Sequence, residues 1–152
     1  MRVVVGADHA GYDLKETLKE YVTSLGHQVV DVGAHDTRPS DYPDFARLIG
    51  EHVVKEPGTR GLLVCGSGVG ASIAACKFPG VRAAVCHDCY SARQGVEHDD
   101  MNVLALGSRI VGVELAKELV SAYLSAKFSA EERHVRRVNK VRAIEAEFSR
   151  TK

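Results

Sequence analysis

The chain has 152 residues, 45% of them hydrophobic and 26% charged, which fits one folded domain over 1–152 with its own core and excludes a disordered polypeptide. Twenty Lys and Arg balance 20 Asp and Glu, so no bulk field draws nucleic acid or an anionic membrane to the chain, and only a local basic patch is left as a footing for either. No apolar run approaches the roughly 18 residues of a membrane span, and Met1–Gly6 enters a strand-like run without a signal-peptide plan. The expectation is a cytoplasmic protein with no membrane or nucleic-acid partner.

The first apolar run, Val3–Val5, reads as a short strand. Leu14, Leu18, Tyr21, Val22 and Leu25 then fall at helical spacing, and Gly26 marks the stop. Val29–Val32 is the next strand, and 33–43, with Pro39 and Pro43, reads as a loop. A helix follows across 43–54 and ends before Pro57 and Gly58. Gly61–Cys65 is a third, buried strand. A glycine-rich turn leads from it into a helix ending near Pro79-Gly80. Val81–Val85 and Val103–Leu106 are the fourth and fifth strands, and 98–102 between them reads as a surface loop. Helices close the chain across 112–126 and 130–148, the last with an apolar stripe of Val141, Ile144 and Phe148 that suits a partner chain better than its own sheet.

This alternation predicts an α/β fold with a five-stranded parallel sheet between two helical layers. Ligands of such sheets bind at the carboxyl ends of the strands. The informative segments are therefore Ala7–Gly11, Gly33–Tyr42, Cys65–Gly70, Cys86–Asp88 and Gly107–Arg109.

Four cysteines, Cys65, Cys76, Cys86 and Cys89, are too few for a disulfide scaffold of this length and read as reduced thiols. Cys86-His87-Asp88-Cys89 has the spacing of a redox or zinc half-site but lacks a second Cys/His pair, so no metal is expected there.

Cys65-Gly66-Ser67-Gly68-Val69-Gly70 follows a strand and opens a helix. Glycines there let the backbone turn tightly and aim N–H groups at one spot, which suits a phosphate or an enediolate. A Walker loop would end Gly-Lys-Ser/Thr, but Gly70-Ala71-Ser72 has no lysine. A cysteine phosphatase loop would need an arginine where Ala71 stands, and a dinucleotide fingerprint would need a glycine there, although Asp88 lies at about the expected acidic distance. Cys65 is either a small core residue or a thiolate activated at the helix start, with the Ser67 hydroxyl as its hydrogen-bond donor.

Other residues carry paired readings. Asp8 and His9 cap the following helix, or they handle protons or a phosphate. Tyr42 anchors its loop or donates to a ligand. His98 and Asp99 lie beside Asp100, and the ordinary imidazole pKa suits acid–base work near neutrality. Arg109 follows the fifth strand. Arg133 and Arg137, four apart, share a helix face with other basic residues nearby, which is either a solvated face or a phosphate clamp.

Together these blocks resemble ribose-5-phosphate isomerase type B and its relatives the galactose-6-phosphate isomerase subunits. The resemblance rests on Gly6–Gly11, Asp41-Tyr42-Pro43, Cys65–Gly70, Lys77–Ala83, Asn102–Arg109 and Arg133-His134 with Arg137. It implies a three-layer Rossmann-like fold, no metal or organic cofactor, and a homodimer with shared active sites. The last helix and the His98 loop would reach across the interface. Whether dimers pair into tetramers is left open.

The resemblance also implies aldose–ketose isomerisation of a sugar phosphate. Cys65 would be the base, tuned by Ser67, and the N–H groups of Gly66, Gly68, Val69 and Gly70 would meet the enediolate. His98 would open the sugar ring with Asp8 assisting, Tyr42 would hold a hydroxyl, and His9, Arg109, Arg133 and Arg137 would hold the phosphate. Some members carry a glutamate in the loop instead of the cysteine; Ala71 stands at that position here. Two departures stand out. Asp99 replaces the usual asparagine, and a carboxylate cannot donate to an enediolate as an amide does, which opens the choice between a five-carbon sugar and a four- or six-carbon one. Cys76 stands where asparagine is common. The rival class is a non-catalytic anion- or nucleotide-binding module on the same sheet.

Overall fold

A computed structural model describes residues 1–149. Five strands, β1 (Arg2–Ala7), β2 (Gln28–Asp31), β3 (Arg60–Cys65), β4 (Ala83–Val85) and β5 (Val103–Gly107), form one parallel sheet in the order β2-β1-β3-β5-β4. The helices are α1 (Tyr12–Ser24), α2 (Tyr42–Lys55), α3 (Val69–Ala75), α4 (Cys89–Asp99), α5 (Val113–Ser125) and α6 (Glu132–Phe148).

The three central strands β1, β3 and β5 are unbroken apolar runs because helices cover both their faces. Side-chain alternation divides them between two cores. Val3, Val5, Leu62, Val64, Leu104 and Leu106 pack with Leu18 and Val22 of α1, Val96 of α4 and Leu119 of α5. Val4, Leu63, Cys65 and Val103 face the other way, onto Ala46, Ile49 and Val53 of α2 and Ala71 and Ala75 of α3. The chemistry-bearing cysteine therefore projects on the α2–α3 side. Each fully buried Leu or Val contributes roughly 1.5–3 kcal/mol.

Three expectations are corrected. The segment before β5 is not a loop: Cys89–Asp99 is helical, so His98 sits in the last turn of α4. Its start is fixed by Asp88, whose carboxylate accepts the Ser91 N–H at 2.7 Å, and its end by Asp100 in the left-handed region at φ 53°. Second, α3 stops at Ala75, well before Pro79. Third, β4 begins at Ala83. Val81 is instead part of a turn closed by its N–H on Phe78 O, with Gly80 at φ +88°.

Helix α6 lies outside the two layers, with α4 as its main neighbour. It buries His134 and Val138, while Val141, Ile144 and Phe148 are 53%, 60% and 78% exposed. No described helix is long and apolar enough to cross a membrane.

Candidate active site

The sheet order makes β1 and β3 neighbours whose onward connections depart to opposite sides, β1 toward β2 and β3 toward the other edge. A crevice opens at such a switch point beyond the strands' carboxyl ends. Here it is a cavity of about 440 Å³ lined by Asp8, His9 and Ala10 after β1, Cys65, Gly66, Ser67 and Gly70 after β3, Arg109 and Ile110 after β5, and Tyr42.

Cys65 ends β3 and is 4% exposed, yet it lines this cavity. Its Sγ accepts the Gly68 N–H at 3.0 Å. Gly68 caps α3 at φ +82°, where a Cβ would also lie 3.0 Å from the Leu106 carbonyl carbon, so the position needs glycine. The first intrahelical bond runs from Ser72 N–H to Gly68 O at 3.0 Å, which leaves the N–H groups of Gly70 and Ala71 without an acceptor in the helix. Ser67 departs from the expected role. Its exposed hydroxyl accepts the Val69 N–H at 3.3 Å, and the donor to sulfur is the Gly68 backbone. Of the loop residues after Cys65, Gly66, Ser67 and Gly70 line the cavity and Gly68 and Val69 do not; the Val69 side chain is 53% exposed.

The loop after β1 is tied from three sides. Asp8 is 6% exposed, and its Oδ1 accepts the Gly11 N–H at 3.0 Å, which fixes the turn into α1. The His9 N–H donates to Ser40 Oγ at 3.0 Å, and His9 Nδ1 lies 3.0 Å from Ser40 O and 3.1 Å from Ser40 N. With Nδ1 engaged, Nε2 is the nitrogen that His9 can offer a ligand. Ser108 Oγ donates to Ala10 O at 2.7 Å. Behind the loop, Ala7 exchanges two 2.6 Å bonds with Gly33 and Ala34. That strand end is pinned by Asp31, which accepts from Gly33 N at 3.0 Å and from fully buried Lys15 at 2.8 Å. Burial alone would raise the Asp31 pKa; Lys15, the Gly33 N–H and Lys19 outweigh it and hold the carboxyl at about 2.

Tyr42 lies across Gly70 so closely that a Cβ there would sit 2.7 Å from its Cζ. The ring is thereby one wall of the cavity. The Arg109 N–H donates to Gly66 O at 3.0 Å, which sets its exposed guanidinium beside the glycine loop.

The remaining candidates form a second cluster at the other end of the sheet. His98 and Asp99 close α4 just before β5, whereas Cys65 pairs with Gly107 where β5 ends. The strand between spans about 13 Å at roughly 3.3 Å per residue. Arg133 and Arg137 are exposed on α6, and Arg133 pairs with Glu131 at 2.9 Å. Within one chain, then, Asp8, His9, Tyr42, Cys65 and Arg109 come together, and His98, Asp99, Arg133 and Arg137 stand apart from them.

The sequence reading missed Ser40, Gln94 and the part played by His134. His134 is 1% exposed and stacks on His98 with ring centroids 4.0 Å apart. No periodicity marks these residues; only tertiary contact does. Each member of Cys86-His87-Asp88-Cys89 has a place in the fold. Cys86 is in the core, where burial and then the Asp88 charge push its thiol up to about 11. His87 Nε2 accepts the Gly107 N–H at 3.0 Å, Asp88 caps α4, and Cys89 packs against the core. Cys76 is exposed, and its thiol donates to Ala83 O at 3.2 Å.

Comparison with known proteins gives a consistent result. The Ribose/Galactose Isomerase family model matches residues 3–141. Ribose-5-phosphate isomerase B of Escherichia coli is 43% identical over 144 residues, 95% of this chain and 96% of that one. D-erythrulose-4-phosphate isomerase of Pectobacterium atrosepticum is 40% identical over 129 residues, 84% and 85% of the two chains. The structure of Clostridium thermocellum ribose-5-phosphate isomerase B aligns with a TM-score of 0.95 at 44% identity, covering 98% of this chain and all of the other. The matched span takes in both the cleft and the α4–α6 cluster, and this chain belongs to the ribose/galactose isomerase family.

Proposed function

We propose that the protein is a cytoplasmic aldose–ketose isomerase that interconverts ribose 5-phosphate and ribulose 5-phosphate. It works as a homodimer, each active site joining the cleft of one protomer to His98, Arg133 and Arg137 of the partner subunit. The observation that carries this reading is the Cys65 sulfur on the wall of the switch-point cavity, beside backbone donors that need no metal to act on an oxyanion. The division of the candidates into two distant clusters supports the dimer, as does the exposed Val141, Ile144 and Phe148 stripe on α6.

The chemistry starts with a closed sugar ring. The ring C1–O bond breaks toward the ring oxygen, which takes a proton from His98 of the partner subunit. The anomeric hydroxyl gives its proton to the Asp8 carboxylate and becomes the carbonyl. Cys65, as thiolate, then removes the C2 proton. The resulting enediolate meets the N–H groups at the start of α3, donors fixed before the charge appears. The proton on the C2 hydroxyl passes to the oxygen on C1, and returning the carbon-bound proton to C1 then yields the ketose. His9 and Arg109, with the partner subunit's Arg133 and Arg137, hold the phosphate, and Tyr42 holds a hydroxyl. Binding energy at the unreactive end is thereby converted into orientation at C1 and C2.

The test is turnover of ribose 5-phosphate in deuterated water by wild-type and Cys65→Ala protein. Solvent deuterium at C1 of the ketose is expected for the wild type and none for the variant. Wild-type protein inactive on every aldose phosphate would leave the binding-module reading in its place.

A second reading keeps the chemistry and changes the sugar. Asp99 beside His98 supports it, as does the similarity to an isomerase named for a four-carbon substrate. Ratios of kcat/KM across four-, five- and six-carbon sugar phosphates decide between them, and Asp99→Asn shifts the ratio toward five carbons if Asp99 selects the substrate.

A further inference from the structure

His98 is half-buried at the end of α4, and two side chains engage its ring. Gln94, one turn earlier on the same face, places its amide nitrogen 2.9 Å from His98 Nδ1. With the amide nitrogen turned to the ring, the contact has Nδ1 as acceptor, which in a neutral imidazole leaves the ring proton on Nε2. On one face of the ring lies His134, its plane 22° from that of His98. His134 is itself anchored, with Nδ1 2.6 Å from Ser129 Oγ, and the Ser129 N–H donates to Glu97 O on α4 at 2.9 Å. His134 Nε2 is buried with no hydrogen-bond partner among the described residues.

Such an investment in one imidazole is more than packing requires. We infer that Gln94 and His134 are positioning residues that mount His98: Gln94 holds Nδ1, His134 covers one ring face, and Nε2 is left as the single nitrogen for proton transfer. This rests on the proposed ring-opening role of His98. A glutamine suits the task because its amide bonds Nδ1 in either protonation state. It offers its N–H₂ to a bare nitrogen, or turns to offer Oε1 to an Nδ1–H. The ring plane is thus kept while a proton comes and goes at Nε2. A platform beneath a cationic ring must stay uncharged, and His134 fits: burial, then His98 and the Arg133 charge, lower its pKa below the usual imidazole value. The other charged groups around the pair are Glu97 and Asp99 on α4, Arg137 on α6 and Glu131 just before it.

The test compares wild type with Gln94→Glu, Gln94→Leu, His134→Phe, His134→Ala and His98→Asn. Wild type and the Gln94 and His134 variants are followed by ¹⁵N NMR titration of the His98 ring, and all of the proteins by the pH profile of kcat on ribose 5-phosphate. Wild-type protein shows the neutral ring protonated on Nε2. A carboxylate at Nδ1 stabilises the imidazolium, so Gln94→Glu raises the His98 midpoint by about one unit and moves the matching limb of the profile with it. Gln94→Leu lowers kcat roughly tenfold with KM little changed. His134→Phe, which keeps a flat face, retains kcat within about threefold, whereas His134→Ala loses roughly tenfold. An unmoved His98 midpoint in Gln94→Glu, or a Phe variant as damaged as the Ala variant, overturns the mount. Full turnover by His98→Asn overturns the ring-opening role instead, and the NMR midpoint still judges the mount.

Discussion

The cleft and the α4–α6 face are built by different means. In the cleft, side chains are aimed by the backbone: Cys65 by the Gly68 N–H, His9 by the Ser40 main chain and hydroxyl, Arg109 by its own N–H on Gly66. On the α4–α6 face, side chains hold side chains, as Gln94 and His134 hold His98 and Ser129 holds His134. A backbone-built site survives most substitutions except those at its glycines and its one reactive atom. A face built from side chains is sensitive to conservative changes. The cleft lining also comes together within one protomer, whereas Arg133 and Arg137 lie exposed on α6, away from it.

The hardest blow to that contrast falls on the cleft. Cys65→Ala should lower kcat by roughly a thousandfold while circular dichroism and melting stay near wild type, because the base is lost and the loop is not. A variant that keeps a tenth of its activity would show that the sulfur is not the base. The second experiment joins the two regions. Cys65→Ala and His98→Asn proteins are each inactive, but after mixing and reassociation a heterodimer has one site with both residues intact. Activity should recover to roughly a quarter of wild type, one good site of two in half of the dimers. No recovery from a mixture shown to exchange subunits would place both residues in one protomer's site.

Smaller effects sharpen the picture. Arg137→Ala should raise KM for the phosphorylated sugar roughly tenfold with kcat little changed, the pattern of lost uniform binding. A fall in kcat alone would move Arg137 from the phosphate to the reacting carbons. The smallest effect concerns the strand end behind Asp8. Asp31 has its pKa lowered from 3.8 to about 2 in the folded protein. Its contribution is therefore fully present above the unfolded value and is lost as pH falls through the folded one, in all about 2 kcal/mol. Urea unfolding of wild type and Asp31→Asn should differ most near pH 5 and converge toward pH 2. Parallel curves would mean the carboxylate gains nothing from Lys15.

Much of this architecture can be read directly from the residues. Val3–Val5, Leu62–Val64 and Val103–Leu106 announce central strands because strands covered on both faces are apolar without interruption. The glycine loop announces itself because few other backbones could turn there. Helix α4 does not, since it buries only Ala92 and Val96, too sparse a stripe to register as periodic. Taking His98 for a loop residue followed from that. The Gly68 donor was hidden for a different reason: a sequence names side chains, and the hydrogen bond to Cys65 comes from a main-chain N–H whose direction exists only in the folded turn. Ser40, Gln94 and His134 lie beyond local pattern for the same reason, since their roles arise from contacts across the fold.

The exposed thiol of Cys76 has a practical consequence. Alkylating reagents will meet it well before they meet the recessed sulfur at the end of β3, so the first equivalent of label consumed reports surface chemistry and not inactivation. In a Cys76→Ser background that also carries Cys89→Ser, since Cys89 is partly exposed, the labelling and inactivation clocks should run together, and protection by a sugar phosphate then becomes a direct measure of occupancy in the crevice.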